Sequence, residues 1–394
     1  MVKARDMRGN KENIIAVIGD ASLDGGEAFE ALNYAGELQS GLIVIVNDND
    51  MSIPENHGAL RNKLTELRNN NGQVSDNYFK SLGFGYLFIP NGHDIGQLVH
   101  ALRQVEGINY PVVVHVCTKK GKGYAPAESD PEKWHGAQAF NIDKGEFVNN
   151  IPKENYGTIV SEYLLRKMKN DSDVIVITAS TPLCIGFNAE NRKRAGTQFI
   201  DVGIAEQNAV TLAAALAAYG TKPIVATNAT FFQRAYDQIE QEMCINHCPA
   251  TMIVTHASVF AHPNDTHHGL LDMALLGNIP GLKYLAPVNK EEYLAMLDWS
   301  INQDDEPVAI RVPWTGVSYT DYDVDSDYSV NKYLITQQGT GVAILALGGF
   351  YGLGVQTANL FEERTGLKPT IINPRFITET DGDTLCLLYT SRCV

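Results

Sequence analysis

The sequence predicts an α/β protein made of successive domains with mainly parallel sheets. Two observations carry this. Short apolar runs alternate with helical patterns, as in Ile14–Ile18, then Gly25–Leu38, then Leu42–Val46. The alternation breaks twice, at a polar stretch near 125–155 and at an acidic run near 321–327, and restarts after each break. Strand, helix, strand in succession implies parallel pairing through right-handed crossovers.

Within residues 1–125, Ile14–Ile18, Leu42–Val46 and Pro111–Val116 read as buried strands. Gly25–Leu38 reads as a helix with Ala28, Phe29, Leu32 and Ala35 on one face. Residues 126–155 lack periodicity and read as a connecting segment. A second domain, 156–320, opens with a helix over Tyr156–Lys169. It continues with strands at Val174–Ile177, Phe199–Val202, Pro223–Ala226 and Thr251–Val254, and with an Ala-rich helix over Ala205–Tyr219. Residues 321–335 read as an acidic linker. The Asp321, Asp323, Asp325 spacing is that of a calcium loop, but Ser326 and Lys332 stand where that loop needs glycine and glutamate. A partial third domain, 336–394, has strands at Val342–Leu347 and Thr370–Ile372. Its tail, Cys386–Val394, continues no pattern and reads as a truncation or a foreign end.

Composition narrows the function. The chain of 394 residues has a formal net charge of -15, which argues against nucleic acid or an anionic membrane as the main partner. No run of about 20 apolar residues is present, so no membrane span is expected. The charged start, Met1–Asp6, lacks the apolar core of a signal peptide. Six scattered cysteines fit a reducing cytoplasm. Cys244, His247 and Cys248 cluster, but no second ligand pair at zinc spacing follows, and a structural role is expected.

The strongest local signal is Gly19-Asp20 followed, one crossover later, by Asn47-Asp48-Asn49. A right-handed crossover sets Asp20 and Asn49 at the carboxyl edge of adjacent parallel strands, where ligands bind in open α/β sheets. Their oxygens can converge on one Mg2+, which prefers oxygen ligands and completes its octahedron with water and phosphates. Asp20, Asn49 and the Met51 carbonyl would leave three positions, two for a diphosphate and one for water. Ala21, Ser22, Gly25 and Gly26 let a helix N-terminus approach that anion. The ordinary alternative is turn and capping chemistry after a strand.

The wider text resembles the 1-deoxy-D-xylulose-5-phosphate synthase family of transketolase-like, thiamine-diphosphate-binding proteins. The resemblance rests on Val17–Asp20, Glu27–Ala31, Asn47–Ile53, Lys120–Ala127, Ile204–Gln207 and Phe232–Gln238. It implies thiamine diphosphate and Mg2+ as cofactors, and decarboxylation of pyruvate with transfer of the two-carbon unit to an aldehyde, glyceraldehyde 3-phosphate in the family. It also implies a homodimer. By the same resemblance Glu206 engages the cofactor's pyrimidine ring, Phe231 stacks on it, Tyr124 and Lys120 contact the cofactor, and His267 and His135 move protons. The family carries over a hundred residues before this start, so a clipped front is expected, or a split between subunits.

The chain departs from the family pattern at Ala21 (glycine), Asn208 (histidine), Asn228 (tyrosine), His256 (arginine), Pro263 (aspartate) and Trp314 (arginine). Four of these, at Asn228, His256, Pro263 and Trp314, fall on the acceptor site. Arg311 or Arg234 is the expected substitute for the lost phosphate-binding arginines. The alternatives are a transketolase-like paralogue with another acceptor, or a non-catalytic or split-subunit fragment.

Overall fold

The computed structural model describes residues 1–148, 154–258, 266–312, 316–319 and 324–390. Two compact units divide the chain, Met1–Ile151 with Val202–Ala205, and Pro152–Asp201 with Glu206–Val394.

The first unit is built on strands β1 (Ile14–Gly19), β2 (Leu42–Asp48), β3 (Gly85–Ile89) and β4 (Val112–Cys117), ordered β1-β2-β4-β3 with every pair parallel. β2 and β4 have neighbours on both sides, and Val46, Val113 and Val114 are fully buried. β1 corrects an expectation. Its continuous apolar run reads as a buried strand, but it lies at the sheet edge, and Ile15 and Val17 are 50% and 69% exposed. Hydropathy reports what a strand tolerates, while sheet order decides how many neighbours it has. The helix Gly26–Leu38 buries Leu32, Ala35 and Gly36, whereas Phe29, expected on that face, is 40% exposed. Gly36 is needed there, because a Cβ would stand 2.0 Å from the Leu82 carbonyl oxygen.

The polar segment after β4 is more ordered than its composition suggests. It forms the helix Ala125–Ser129 and a short hairpin of β5 (Phe140–Asn141) and β6 (Glu146–Phe147). Trp134 packs against Tyr124, Phe140 and Phe147 at ring separations of 5.2, 4.8 and 5.0 Å. A small aromatic cluster thus replaces the periodicity that a longer element would show.

The second unit carries a six-stranded parallel sheet, β11-β12-β10-β9-β7-β8. Its strands are β7 (Val174–Thr178), β8 (Phe199–Asp201), β9 (Lys222–Asn228), β10 (Thr251–Thr255), β11 (Lys283–Leu285) and β12 (Val308–Arg311). The first helix, Tyr156–Asn170, starts at a capping box in which the Asn155 side chain accepts from the Thr158 N–H and Thr158 answers the Asn155 N–H. The Ala-rich helix runs Glu206–Ala218 and presses Ala209, Val210, Ala213 and Ala217 into the core.

The C-terminal part holds three strands rather than the two legible in sequence. β13 (Leu334–Gln337) pairs antiparallel with β15 (Thr370–Asn373), and β14 (Ala343–Leu345) pairs parallel with it. β13 begins inside the stretch read as a linker, where four residues are too few for alternation to stand out. Of the acidic run, Asp321 and Asp323 lie outside the described residues, and Asp325 pairs with Arg375 at 3.0 Å. Of the tail read as patternless, residues 386–390 belong to a helix, Gly382–Thr390, started by Asp381, which accepts from the Thr384 N–H at 3.0 Å, and residues 391–394 lie outside the described residues. The segment after β15 lies along β11: the Ala286 N–H donates to the Arg375 carbonyl and the Ile377 N–H to that of Tyr284. Tyr328 and Phe376 belong to the same apolar core as Leu285 and Tyr293.

Candidate active site

In the first unit the register aligns Gly19 with Asn47, and the Asp20 N–H donates to the Asn47 carbonyl at 3.1 Å. Asp20 and Asp48 are therefore neighbours at the carboxyl edge, with Asn49 one residue beyond. Asp20 starts a 3-10 turn, Ala21–Asp24, that leads into the helix at Gly26, whose N-terminus no side chain caps. Ala21 is buried in that turn and Ser22 is exposed.

Asp20 is 2% exposed. Burial, then repulsion from Asp48, pushes its carboxyl up to about 6, while the Asn49 N–H and the Asn56 amide act in the other direction. The Asn56 Nδ2 donates to Asp20 at 3.3 Å. A buried carboxylate beside a second one, served by a long amide bond, is short of positive charge. A hard divalent cation would supply that charge, and the oxygens of Asp20 and Asn49 suit one. The Asn49 Oδ1 accepts from the Met51 N–H at 3.1 Å and keeps a second lone pair. Met51 itself pairs with Glu55 across the loop. The residues present therefore fit Mg2+.

Lys120 donates its Nζ to the carbonyls of Ser52 and, at 3.4 Å, Ile53, so it also ties down the loop that follows Met51. Burial lowers its pKa, and the Asp20 charge opposes this. Tyr124 donates to the Ile142 carbonyl at 3.0 Å and packs in the aromatic cluster. His135 lies on the surface, where surrounding protein and the Lys120 charge lower its pKa below the ordinary value.

In the second unit Glu206 opens its helix, 4% exposed, and burial raises its pKa while Arg234 opposes the rise. The Arg234 guanidinium lies 3.0 Å from the Glu206 Oε2. A buried carboxyl at the start of a helix is suited to hydrogen-bonding a ring nitrogen. Phe231 and His267 meet edge to face at 5.3 Å. His267 shares a hydrogen bond of 2.8 Å with the Thr266 hydroxyl.

The arginines expected to take over the acceptor phosphate are engaged elsewhere. Arg311 is buried, donates to Asp272 at 2.7 and 3.3 Å, and donates to the Gly269 carbonyl at 3.1 Å. The Tyr284 hydroxyl completes that cluster by donating to Asp272 at 2.5 Å. Arg311 is thus a core residue, and Arg234 answers Glu206. Of the departures, Asn228 accepts from the Thr255 hydroxyl at 3.0 Å, and the His256 ring bonds the same hydroxyl at 3.1 Å. Pro263 and Trp314 lie outside the described residues.

Sequence reading missed Asn56, Arg68 and His115. Asp48 is gripped by His115 Nε2 at 2.8 Å and Arg68 at 2.6 Å. Asn56 carried a weak signal, a polar residue just beyond the Asn47–Ile53 text. Arg68 and His115 carried none, because they reach Asp48 from a helix and another strand. Asp48, His115 and Cys117 are the one group of three potential metal ligands found among the described residues. Arg68 and Tyr86 already use the Asp48 and His115 atoms that face them.

Two parallel-sheet units, with a buried carboxylate at adjacent strand tips of the first and a buried glutamate opening a helix in the second, define a transketolase-like α/β protein. Residues 153–316 match the model of the transketolase pyrimidine binding domain, and residues 1–75 and 70–118 match that of 1-deoxy-D-xylulose-5-phosphate synthase. The chain belongs to the 1-deoxy-D-xylulose-5-phosphate synthase family. It is 36% identical to the synthase of Halothermothrix orenii over 96% of this chain and 65% of that protein. It is 35% identical to the synthase of Lachnoclostridium phytofermentans over 98% and 67%. The chain therefore spans about two thirds of the length of the curated relatives it matches. Among solved structures, a transketolase from Pichia stipitis aligns with a TM-score of 0.53 and 17% identity over 95% of this chain and 67% of that one. The transketolase of Campylobacter jejuni aligns with a TM-score of 0.50 and 18% identity over 95% and 68%. At these identities the likeness is one of fold.

Proposed function

We propose that this chain works as a thiamine-diphosphate- and Mg2+-dependent transferase. It decarboxylates pyruvate and joins the two-carbon unit to glyceraldehyde 3-phosphate, a step that feeds isoprenoid precursor, thiamine and pyridoxal synthesis. The observation that carries this reading is the pair of strand tips in a chain of this family: Asp20, buried and short of positive charge, just past the end of β1, with Asn49 just past the end of the adjoining β2.

Bound thiamine diphosphate would supply a carbon nucleophile and an electron sink. The protein's part is binding, orientation and proton control. Asp20, Asn49 and the Met51 carbonyl hold the cation. The turn from Ala21 and Ser22 and the uncapped helix N-terminus face the diphosphate, whose charge Lys120 helps balance. Tyr124 and Phe231 provide apolar contact to the cofactor. Glu206 shares a hydrogen bond with a ring nitrogen of the cofactor. His135 and His267 move protons at the substrate carbonyls.

The assembly we propose is a homodimer, by analogy with the family. A cytoplasmic setting is supported by the small number and wide scatter of the six cysteines along the sequence. No helix among the described residues is long and apolar enough to cross a membrane.

Calorimetric titration with thiamine diphosphate and Mg2+ tests the site, with wild type binding and Asp20→Ala losing affinity. Equal affinity for the two proteins would remove the metal assignment. The acceptor is tested by comparing glyceraldehyde 3-phosphate with glyceraldehyde as partner for pyruvate. With Arg311 buried on Asp272, phosphate recognition must come from other groups, and equal rates would favour the paralogue with an unphosphorylated acceptor.

A further inference from the structure

Asn49 lies just past the end of β2, in a turn whose next residue, Asp50, has a φ of 62°. A non-glycine residue in that region is strained and persists where its surroundings hold it. Here both neighbours of Asn49 are held by one side chain. Arg68, on the helix Ala59–Asn69, places its guanidinium 2.6 Å from the Asp48 Oδ1 and 3.0 Å from the Asp50 Oδ1. The Asp50 N–H closes the turn by donating to Asp48 at 3.2 Å. From the far side His115 Nε2 holds the other Asp48 oxygen at 2.8 Å, and the Tyr86 hydroxyl holds His115 Nδ1 at 2.7 Å. Arg61 adds a two-pronged grip on Asp50 at 2.9 and 3.1 Å. A chain of polar contacts thus runs from β3 through β4 and β2 to a helix, and Asn49 stands between the two carboxylates that it holds.

We propose that Arg68 is a positioning residue of the cation site, bracing Asp48 and Asp50 together and so fixing the turn that presents Asn49. The inference rests on the reading of Asp20 and Asn49 as cation ligands. A planar guanidinium can bridge two carboxylates at once, whereas a lysine ammonium is a single point charge on a flexible stem.

The sign of the effect separates this role from simple electrostatics. Arg68 is a positive charge near the proposed cation. By Coulomb's law alone, deleting it leaves the site more negative and tightens Mg2+ binding. A positioning role predicts the opposite. Losing the support of a metal ligand typically weakens metal binding by about 10–100-fold.

The test is calorimetric Mg2+ titration of the full chain with saturating thiamine diphosphate, alongside thermal unfolding by circular dichroism. Arg68→Met, which keeps most of the stem, is expected to weaken Mg2+ about 10-fold or more, and Arg68→Lys to recover only part of the loss. Unchanged or tighter binding in Arg68→Met, or full recovery in Arg68→Lys, overturns the inference while the site reading stands. A wild type that binds neither Mg2+ nor the cofactor overturns the site reading and the inference with it. Should Arg68→Met not fold, Arg61→Met decides by the same sign. Its side chain is 38% exposed against 19% for Arg68, so its loss is expected to disturb folding less, and weaker Mg2+ binding supports the brace where tighter or equal binding refutes it.

Discussion

At the scale of single residues, function and stability pull against each other at Asp20. Its folded pKa of about 6 stands above the ordinary value of 3.8. Between those values the folded, cation-free protein binds more protons than the unfolded chain. Its stability therefore falls as pH rises from about 4 to about 6, by roughly 3 kcal/mol, and is flat above. Asp20→Asn is expected to remove that slope and to raise the melting temperature of the cation-free protein at pH 7.5. The same variant should lose the stabilisation that Mg2+ and thiamine diphosphate give wild type. Melting curves in chelator across pH 4–8 check this, and an unchanged slope in the variant would assign the charge cost elsewhere. Glu206 calls for a different readout. Glu206→Gln keeps the shape but cannot exchange a proton with the cofactor ring, so turnover should fall by about 100-fold or more while cofactor affinity changes little. A loss confined to affinity would make Glu206 a binding group only.

At the scale of elements, two positions set local effects against packing. Asn155 caps the helix Tyr156–Asn170, and Asn155→Ala should cost about 1 kcal/mol, read as a lower denaturant midpoint with an unchanged slope. Gly36 sits inside the helix Gly26–Leu38, where alanine would by propensity gain up to about 1 kcal/mol. Its Cβ would, however, stand 2.0 Å from the Leu82 carbonyl oxygen, and backbone on both sides resists moving. Overpacking costs about 1–3 kcal/mol, so Gly36→Ala should destabilise. A stabilised variant would mean that the helix shifts freely on its neighbour.

At the scale of the whole molecule, a buried polar group ties the C-terminal strands to the larger sheet. Glu292 is 1% exposed and accepts from the Val288 N–H at 2.9 Å and from the Asn373 amide at 3.0 and 3.1 Å. Asn373→Ala strips the carboxyl of a donor, which costs about 1–3 kcal/mol when the group stays buried. Hydrogen exchange should then quicken in β11 and β15 together. Faster exchange in β13–β15 with β11 unchanged would show that the C-terminal strands open as a separate unit.

The sequence by itself determined the α/β class, most strands, and the setting of Asp20 and Asn49 at the ends of adjacent parallel strands. Each of these follows from local apolar period and from the geometry of one crossover, which the chain carries in contiguous text. Tertiary structure decided that β1 is an edge, that Arg311 is a core ion pair with Asp272, and that Arg68 and His115 meet at Asp48. Those outcomes depend on sheet order and on contacts between residues 20 to 67 positions apart. The free energy of such a contact belongs to a pair that only folding brings together, so neither partner's local sequence reports it.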